Sequence, residues 1–278
     1  MVVVELAAVV MVVLFAALIG ARLVLHINDV SPPDAPTAPA DVVAAVTNVS
    51  AEQFEAVGEG DARTLPIPVR ARLALDPTGR VLITYVGAEW CAMCAAERWP
   101  LIVALSRFGQ FSNLRVTDSV ADDAYPSIPT FSFYGAQYRS GLIDFASVEL
   151  QSNERQAGHF RQLQPPSEAQ QQFMRTYDAP PYVAAASTGA LPFIDVANQY
   201  VISGASFDAG LLADGSLGSI ASSLSTGSSA PAKAVFGSAD VLTAAICAAT
   251  QDRPTTVCEQ PSVNRIEAAL AQKEVPNT

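Results

Sequence analysis

The chain has 278 residues, half of them apolar and only 15% charged, with 16 Lys and Arg against 27 Asp and Glu for a formal net charge of −11. That length suits one large or two small domains, the apolarity excludes wholesale disorder, and the acidity argues against a partner with a phosphate backbone, so no nucleic acid is expected to bind. Four Cys and two His are too few for a disulfide-dense scaffold and leave little for a histidine-based metal site or triad.

No charged residue interrupts the run from Leu6 to Ala21, and Leu23 to Leu25 extend it past Arg22. A hydrocarbon layer needs about 20 helical residues, so residues 1–26 are expected to form a transmembrane anchor. The competing reading is a cleavable signal peptide, but the apolar region is long and the small-x-small triplet Ala38-Pro39-Ala40 lies far downstream. Arg22 and His26 follow the run and none of its basic residues precedes it, so the positive-inside rule gives little orientation. Residues 27–49 read as a Pro/Ala-rich linker of extended backbone, with Pro32, Pro33, Pro36 and Pro39. Ser50-Ala51-Glu52-Gln53 has the form of a capping box and opens a folded region over residues 50–278.

Leu73 to Leu75, Asp76-Pro77-Thr78-Gly79, and Val81 to Val86 read as strand, turn and strand, the second a nearly continuous apolar run suited to burial on both faces. A long apolar helix is expected from about Cys91 to Phe108, with Pro100 kinking it and Gly109 stopping it. At its start stands Cys91-Ala92-Met93-Cys94. A Cys-x-x-Cys at the junction of a buried strand and a helix brings two sulfurs within disulfide reach across the first turn. The first sulfur lies at an exposed helix N-terminus, where free amides and the helix dipole favour the thiolate. Cys91 is therefore the expected nucleophile and Cys94 the resolving thiol. A zinc site is the first competitor, but it requires four ligands, and Cys247, Cys258, His26 and His159 form no second close pair, so no metal and no organic cofactor is expected. A permanent structural disulfide, or an inert pair on a fold used for binding, is the second.

Ala88-Glu89-Trp90-Cys91-x-x-Cys94 resembles the active-site signature of the thioredoxin superfamily. The whole chain also resembles an uncharacterised family of membrane-anchored thioredoxin-like proteins, through Tyr85 to Cys91 and Ala95-Ala96-Glu97-Arg98-Trp99. The resemblance implies an α/β fold with a thioredoxin-like central sheet flanked by helices. It also implies a cis proline facing the dithiol, which starts a hairpin leading to a final helix. Leu191-Pro192 is the first candidate, because Phe193 to Val196, Tyr200 to Ser203 and a helix from Phe207 can follow it; Ile128-Pro129-Thr130 is the second. Substrate contacts are then expected at Trp90, Leu191 and Pro192. Asn113 to Val120 would be the next parallel strand, and residues 122–188 an insertion. Within it, Thr130 to Phe133 and Leu142 to Val148 would form a hairpin, and Glu154 to Leu163 and Glu168 to Tyr177 a helical cap. This added part either shapes a partner groove or covers a sheet edge. The buried carboxylate that the family often keeps six residues before its first Cys is replaced by Tyr85.

Trp99 reads as core packing and His159 as a surface residue; of two readings for Glu97 and Arg98, an electrostatic bias on Cys94 or a solvated helix face, the solvated face is expected. A helical extension is expected over residues 239–274, with a break at Asp252-Arg253-Pro254 and a second helix turning Val263, Ile266, Ala269 and Leu270 inward. Cys247 and Cys258 would staple this extension as a structural disulfide; two reduced buried thiols are the alternative. The expected protein is a single-pass cell-membrane protein with its C-terminal domain extracytoplasmic. It would exchange thiols and disulfides with protein substrates in a direction not set by the sequence, and a membrane redox partner would reset the dithiol. The rival expectation is a binding or chaperone-like module with an inert Cys91-Cys94 pair.

Overall fold

A computed structural model describes residues 35–69 and 71–276. The expected transmembrane anchor and the first part of the linker lie outside the described residues. The described chain belongs to one compact unit that begins at Ala35.

The second half of the expected linker is a correction. Pro36 to Pro39 are extended, and Thr37 bridges Arg115, but α1 (Ala40–Thr47) follows at once and buries Val42 and Val46 in the main core. Prolines fix the backbone only up to Pro39; beyond it, alanines and valines spaced four apart give a helix with one apolar edge. Next comes α2 (Ala51–Val57), opened by the expected capping box: Ser50 Oγ accepts from Gln53 N–H and Gln53 Oε1 from Ser50 N–H. Then come β1 (Ile67–Pro68), β2 (Val81–Gly87) and α3 (Ala92–Ser106), which runs through Pro100. Leu75 makes a single bridge to Val81 in place of a full first strand.

After α3 come β3 (Gln110–Ser112), β4 (Arg115–Asp118), β5 (Pro129–Ser132), β6 (Gln137–Arg139), β7 (Ile143–Glu149), β8 (Gln151–Gln156), β9 (His159–Gln162) and α4 (Glu168–Tyr177). The remainder is β10 (Phe193–Val196), β11 (Tyr200–Ser203), α5 (Gly210–Ala213), α6 (Leu217–Leu224), α7 (Ala230–Thr250), α8 (Thr255–Cys258) and α9 (Pro261–Ala271).

The protein is mixed α/β, with a central five-stranded mixed sheet in the order β1-β11-β10-β2-β7 and helices against it. β2 pairs parallel with β7 from Val81↔Ile143 to Gly87↔Glu149, and antiparallel with β10 on its other side. The parallel neighbour of β2 is thus not residues 113–120. β4 pairs antiparallel with β5 in a separate two-stranded sheet, and β3 does the same with β6. Consequently residues 122–188 are not all additional, because the strand beside β2 lies among them. Residues 154–163 are likewise not a helix but most of the hairpin β8–β9, reversed at Ala157 and Gly158, both at positive φ. The second helix of the expected cap is present as α4, with its own capping box at Ser167. It leaves a cavity of about 170 Å³ over the sheet, walled by Phe173, Met174, Phe193 and Asp195.

α7 starts nine residues before the expected extension and is a core helix, not an appendage. It packs against α3, α2, α6 and α9, and Gly237 lets it approach the chain so closely that a Cβ there would lie 2.2 Å from the Glu59 carbonyl. Among the described residues it is the one helix long and apolar enough to cross a membrane, and 89% of its apolar window is buried inside the protein. Cys247 in α7 and Cys258 in α8 are joined by a disulfide, with Cα atoms 5.5 Å apart. On α9, Val263, Ile266 and Leu270 are buried as expected, while Ala269 faces out.

Candidate dithiol site

β2 carries the chain through the core and releases it at Gly87. A Cβ on that residue would lie 2.1 Å from the Tyr85 hydroxyl, so glycine is what lets the tyrosine turn back under the loop. Residues 88–90 bridge to α3, whose N-cap is Cys91. Its sulfur accepts the Cys94 N–H at 3.1 Å, as a capping oxygen would, and its thiol lies 3.7 Å from the Leu191 carbonyl. Leu191–Pro192 is a cis peptide bond; Pro129 is trans, lies inside β5, and has its carbonyl bound by Trp99 Nε1. Of the two candidate prolines, the Pro192 segment therefore faces the dithiol.

Both thiols are free. The hydrogen bond to the Cys94 thiol lowers the Cys91 pKa below the ordinary cysteine value; burial opposes this, and the Cys94 amide and the Arg98 cation assist it. Burial pushes the Cys94 thiol well up, and its neighbour adds to the rise. The two sulfurs are thus differentiated into an easily ionised one and a reluctant one.

Cys91 corrects the expectation of an exposed helix start, since only 5% of the residue is accessible. Trp90, Met93, Leu150 and Leu191 pack around the pair. Trp90 is held in turn by Nε1–H donating to Gln151 Oε1 at 3.0 Å and by a parallel stack on Phe160, 5.4 Å between centroids. Hairpin β8–β9 thus braces the wall beside Cys91. Its Arg155 lies 4.3 Å over Phe160 and pairs with Asp122 of the facing loop. In that loop Asp123 accepts the Ala92 N–H at 2.9 Å, a contact with no signal in the sequence.

Glu97 and Arg98 are the second correction. Neither is solvated: both are 0% exposed. Glu97 accepts from the Ser206 N–H and hydroxyl, and burial raises its pKa to about 7. Arg98 forms a two-pronged pair with Glu149 at 2.8 and 2.7 Å and donates to the Ala88 carbonyl at 2.8 Å. Burial opposes its charge, and attraction to Glu149 more than restores it. The signal was present: α3 is apolar on every side, and a helix of that kind is buried all round, charges included. Trp99 is core, as expected, and His159 is exposed on β9. Among the described residues no group of three or more His, Cys, Asp or Glu is gathered to hold a metal ion.

What these elements define is a mixed α/β protein with a sequestered dithiol at a strand-to-helix junction. Residues 71–248, well over half the chain, match the family model described as Domain of unknown function (DUF929), and the chain belongs to that family. No curated protein and no solved structure matches the chain.

Proposed function

We propose that the protein is a thiol–disulfide oxidoreductase of thioredoxin-like fold that acts on protein thiols and disulfides through Cys91 and Cys94. The observation that carries this reading is the Cys91 sulfur: it caps α3, accepts the Cys94 amide, and lies 3.7 Å from the carbonyl that precedes Pro192. The fold supports it, because the dithiol strand β2 lies between a parallel strand and the first strand of the β10–β11 hairpin, with a long helix following.

In the exchange, the Cys91 thiolate attacks one sulfur of a substrate disulfide and the other leaves as a thiolate. Cys94 then attacks Cys91, closing the Cys91–Cys94 bond and releasing the first substrate sulfur. The reverse sequence oxidises a substrate dithiol. Trp90, Leu191 and Pro192 line the approach, and neither step draws on a metal or an organic cofactor. The Cys247–Cys258 bond and the apolar run Leu6 to Ala21 support an extracytoplasmic domain on a membrane tether, near a membrane redox partner.

The near-complete cover over Cys91 favours a second reading, a binding module with an inert dithiol. Alkylation of the reduced protein across pH separates them. Exchange chemistry predicts Cys91 labelling with a midpoint below that of an ordinary thiol, and trapped mixed disulfides in a Cys94→Ser variant. Ordinary or absent labelling of Cys91, with no trapped adducts, leaves only the binding module.

A further inference from the structure

Resolution needs Cys94 as a thiolate, yet Cys94 is wholly buried, and its surroundings do not offer a free base. Tyr85, in β2, is buried with no partner for its hydroxyl, and burial lifts its pKa well above the usual range, so it carries its proton and cannot take another. Each nearby carboxylate is engaged. Glu89 accepts from Ser132 Oγ, with Arg161 of β9 acting on it from outside, and Glu97 is bound by Ser206. Glu149 gives both oxygens to Arg98, and Asp123 caps Ala92. One buried cation stands among these groups. Arg98 is one helical turn beyond Cys94 and two beyond Cys91, on the same face of α3. It is tied to the carbonyl of Ala88, which shares an apolar cluster with both cysteines. Its third nitrogen, Nη1, is buried without a partner, a donor left uncommitted.

We propose that Arg98 is the positioning residue for the resolving step: its cation, fixed by Glu149 and the Ala88 carbonyl, holds Cys94 as a thiolate while it attacks Cys91. The proposal rests on the exchange reading above. The Cys94–Cys91 bond forms, the Cys91–substrate bond breaks, and the departing substrate sulfur takes the electron pair and, in the net reaction, the proton that Cys94 gave up. A fixed positive charge thus does by attraction what a free carboxylate would do by accepting a proton.

The test uses the full-length reduced chain and an aromatic disulfide that releases a coloured thiolate at each step: the first release reports attack by Cys91, the second resolution by Cys94. In Arg98→Met/Glu149→Leu, which replaces the pair by apolar groups of similar bulk, the second release should slow about tenfold, with its pH midpoint about one unit higher. Arg98→Lys keeps the charge on the native fold and should recover most of the rate and the midpoint. The first release should change far less, because Cys91 keeps its amide cap. An unmoved second-release midpoint in folded Arg98→Met/Glu149→Leu overturns the role of Arg98 and leaves the exchange reading standing. No first release in the unmodified protein sinks the exchange reading itself.

Discussion

The two cysteine pairs lie in one protein and have opposite fates. Cys91 stands at the N-terminus of a helix, facing a carbonyl, with a buried cation two turns away. Cys247 stands in the last turns of α7, where the helix dipole disfavours a thiolate, and is bonded to Cys258 across a short break. Both pairs are sequestered from water. Burial therefore does not separate the free pair from the bonded one. The polar groups nearby differ: the Cys94 amide and a buried cation stand by one pair, whereas the other belongs to the main apolar core.

The sharpest way to break this contrast is to exchange the damage. Cys91→Ser should abolish thiol–disulfide exchange and leave stability nearly untouched, since serine caps a helix as well as the sulfur does. The double variant Cys247→Ser/Cys258→Ser should keep exchange and lose about 3 kcal/mol of stability, the chain-entropy value for a loop of this length. Denaturation by urea and turnover of a small disulfide measure both. Loss of exchange in the folded second variant would show that its disulfide accepts electrons from the first pair, passing oxidising equivalents to it.

Much of the first pair's setting was legible before any coordinates. The apolar strand, the Cys-x-x-Cys at its end and the helix behind it are local patterns, and each lies where the pattern put it; Leu191-Pro192 was the first of two prolines offered by the resemblance, and it is the one facing the dithiol. The spacing of Cys247 and Cys258 around a proline break was readable in the same way. What failed was non-local. Ile143–Glu149 alternates like a half-exposed strand, and nothing in its residues says that it crosses over to lie beside β2 in place of residues 113–120. The hairpin at 151–162 is polar enough to pass for a surface helix, and only Gly158 marked its turn. The helix at residues 40–47 was hidden behind four prolines whose influence ends at Pro39.

Within α3 the contrast sharpens between adjacent residues, for Arg98 is bound to Glu149 whereas Glu97 meets only the neutral donors of Ser206. Its pKa is raised from 4.5 to about 7, so the folded chain holds a proton that the unfolded chain releases. That contribution is intact below pH 4.5 and is lost as pH rises through 7. Glu97→Gln, which mimics the protonated acid, should match the parent at low pH and exceed it above neutrality by as much as about 3 kcal/mol. Asp195 is likewise raised to about 7, so the difference between parent and variant, not the parent's own curve, is the quantity to read from urea titrations between pH 4 and 8. A constant difference across that range rejects the assignment.

Gly87→Ala tests the floor of the site. Its new Cβ would meet the Tyr85 hydroxyl at 2.1 Å and the ring carbon bearing it at 2.5 Å, an overpacking expected to cost about 1–3 kcal/mol. Tyr85→Phe removes a buried hydroxyl that has no partner and should be neutral or stabilising alone. Combined with Gly87→Ala it should recover part of the loss, because the closest of the two clashes is gone. Additive losses in the double variant would mean that the two residues do not share the space.

The smallest effect tests whether cover and acidity at Cys91 are separate properties. Phe160 touches Trp90 face to face but is absent from the apolar cluster around the sulfurs. Removing it should loosen the wall without altering the amide cap. An aromatic stack contributes about 1 kcal/mol, so Phe160→Ala should speed alkylation of Cys91 by roughly fivefold at neutral pH. The pH midpoint should stay in place, since neither the Cys94 amide nor Arg98 has moved. A shifted midpoint would mean that hairpin β8–β9 tunes the thiol itself. An unchanged rate would assign the cover to Trp90, Met93, Leu150 and Leu191 without help from Phe160, leaving the hairpin as a brace for the Asp122 loop.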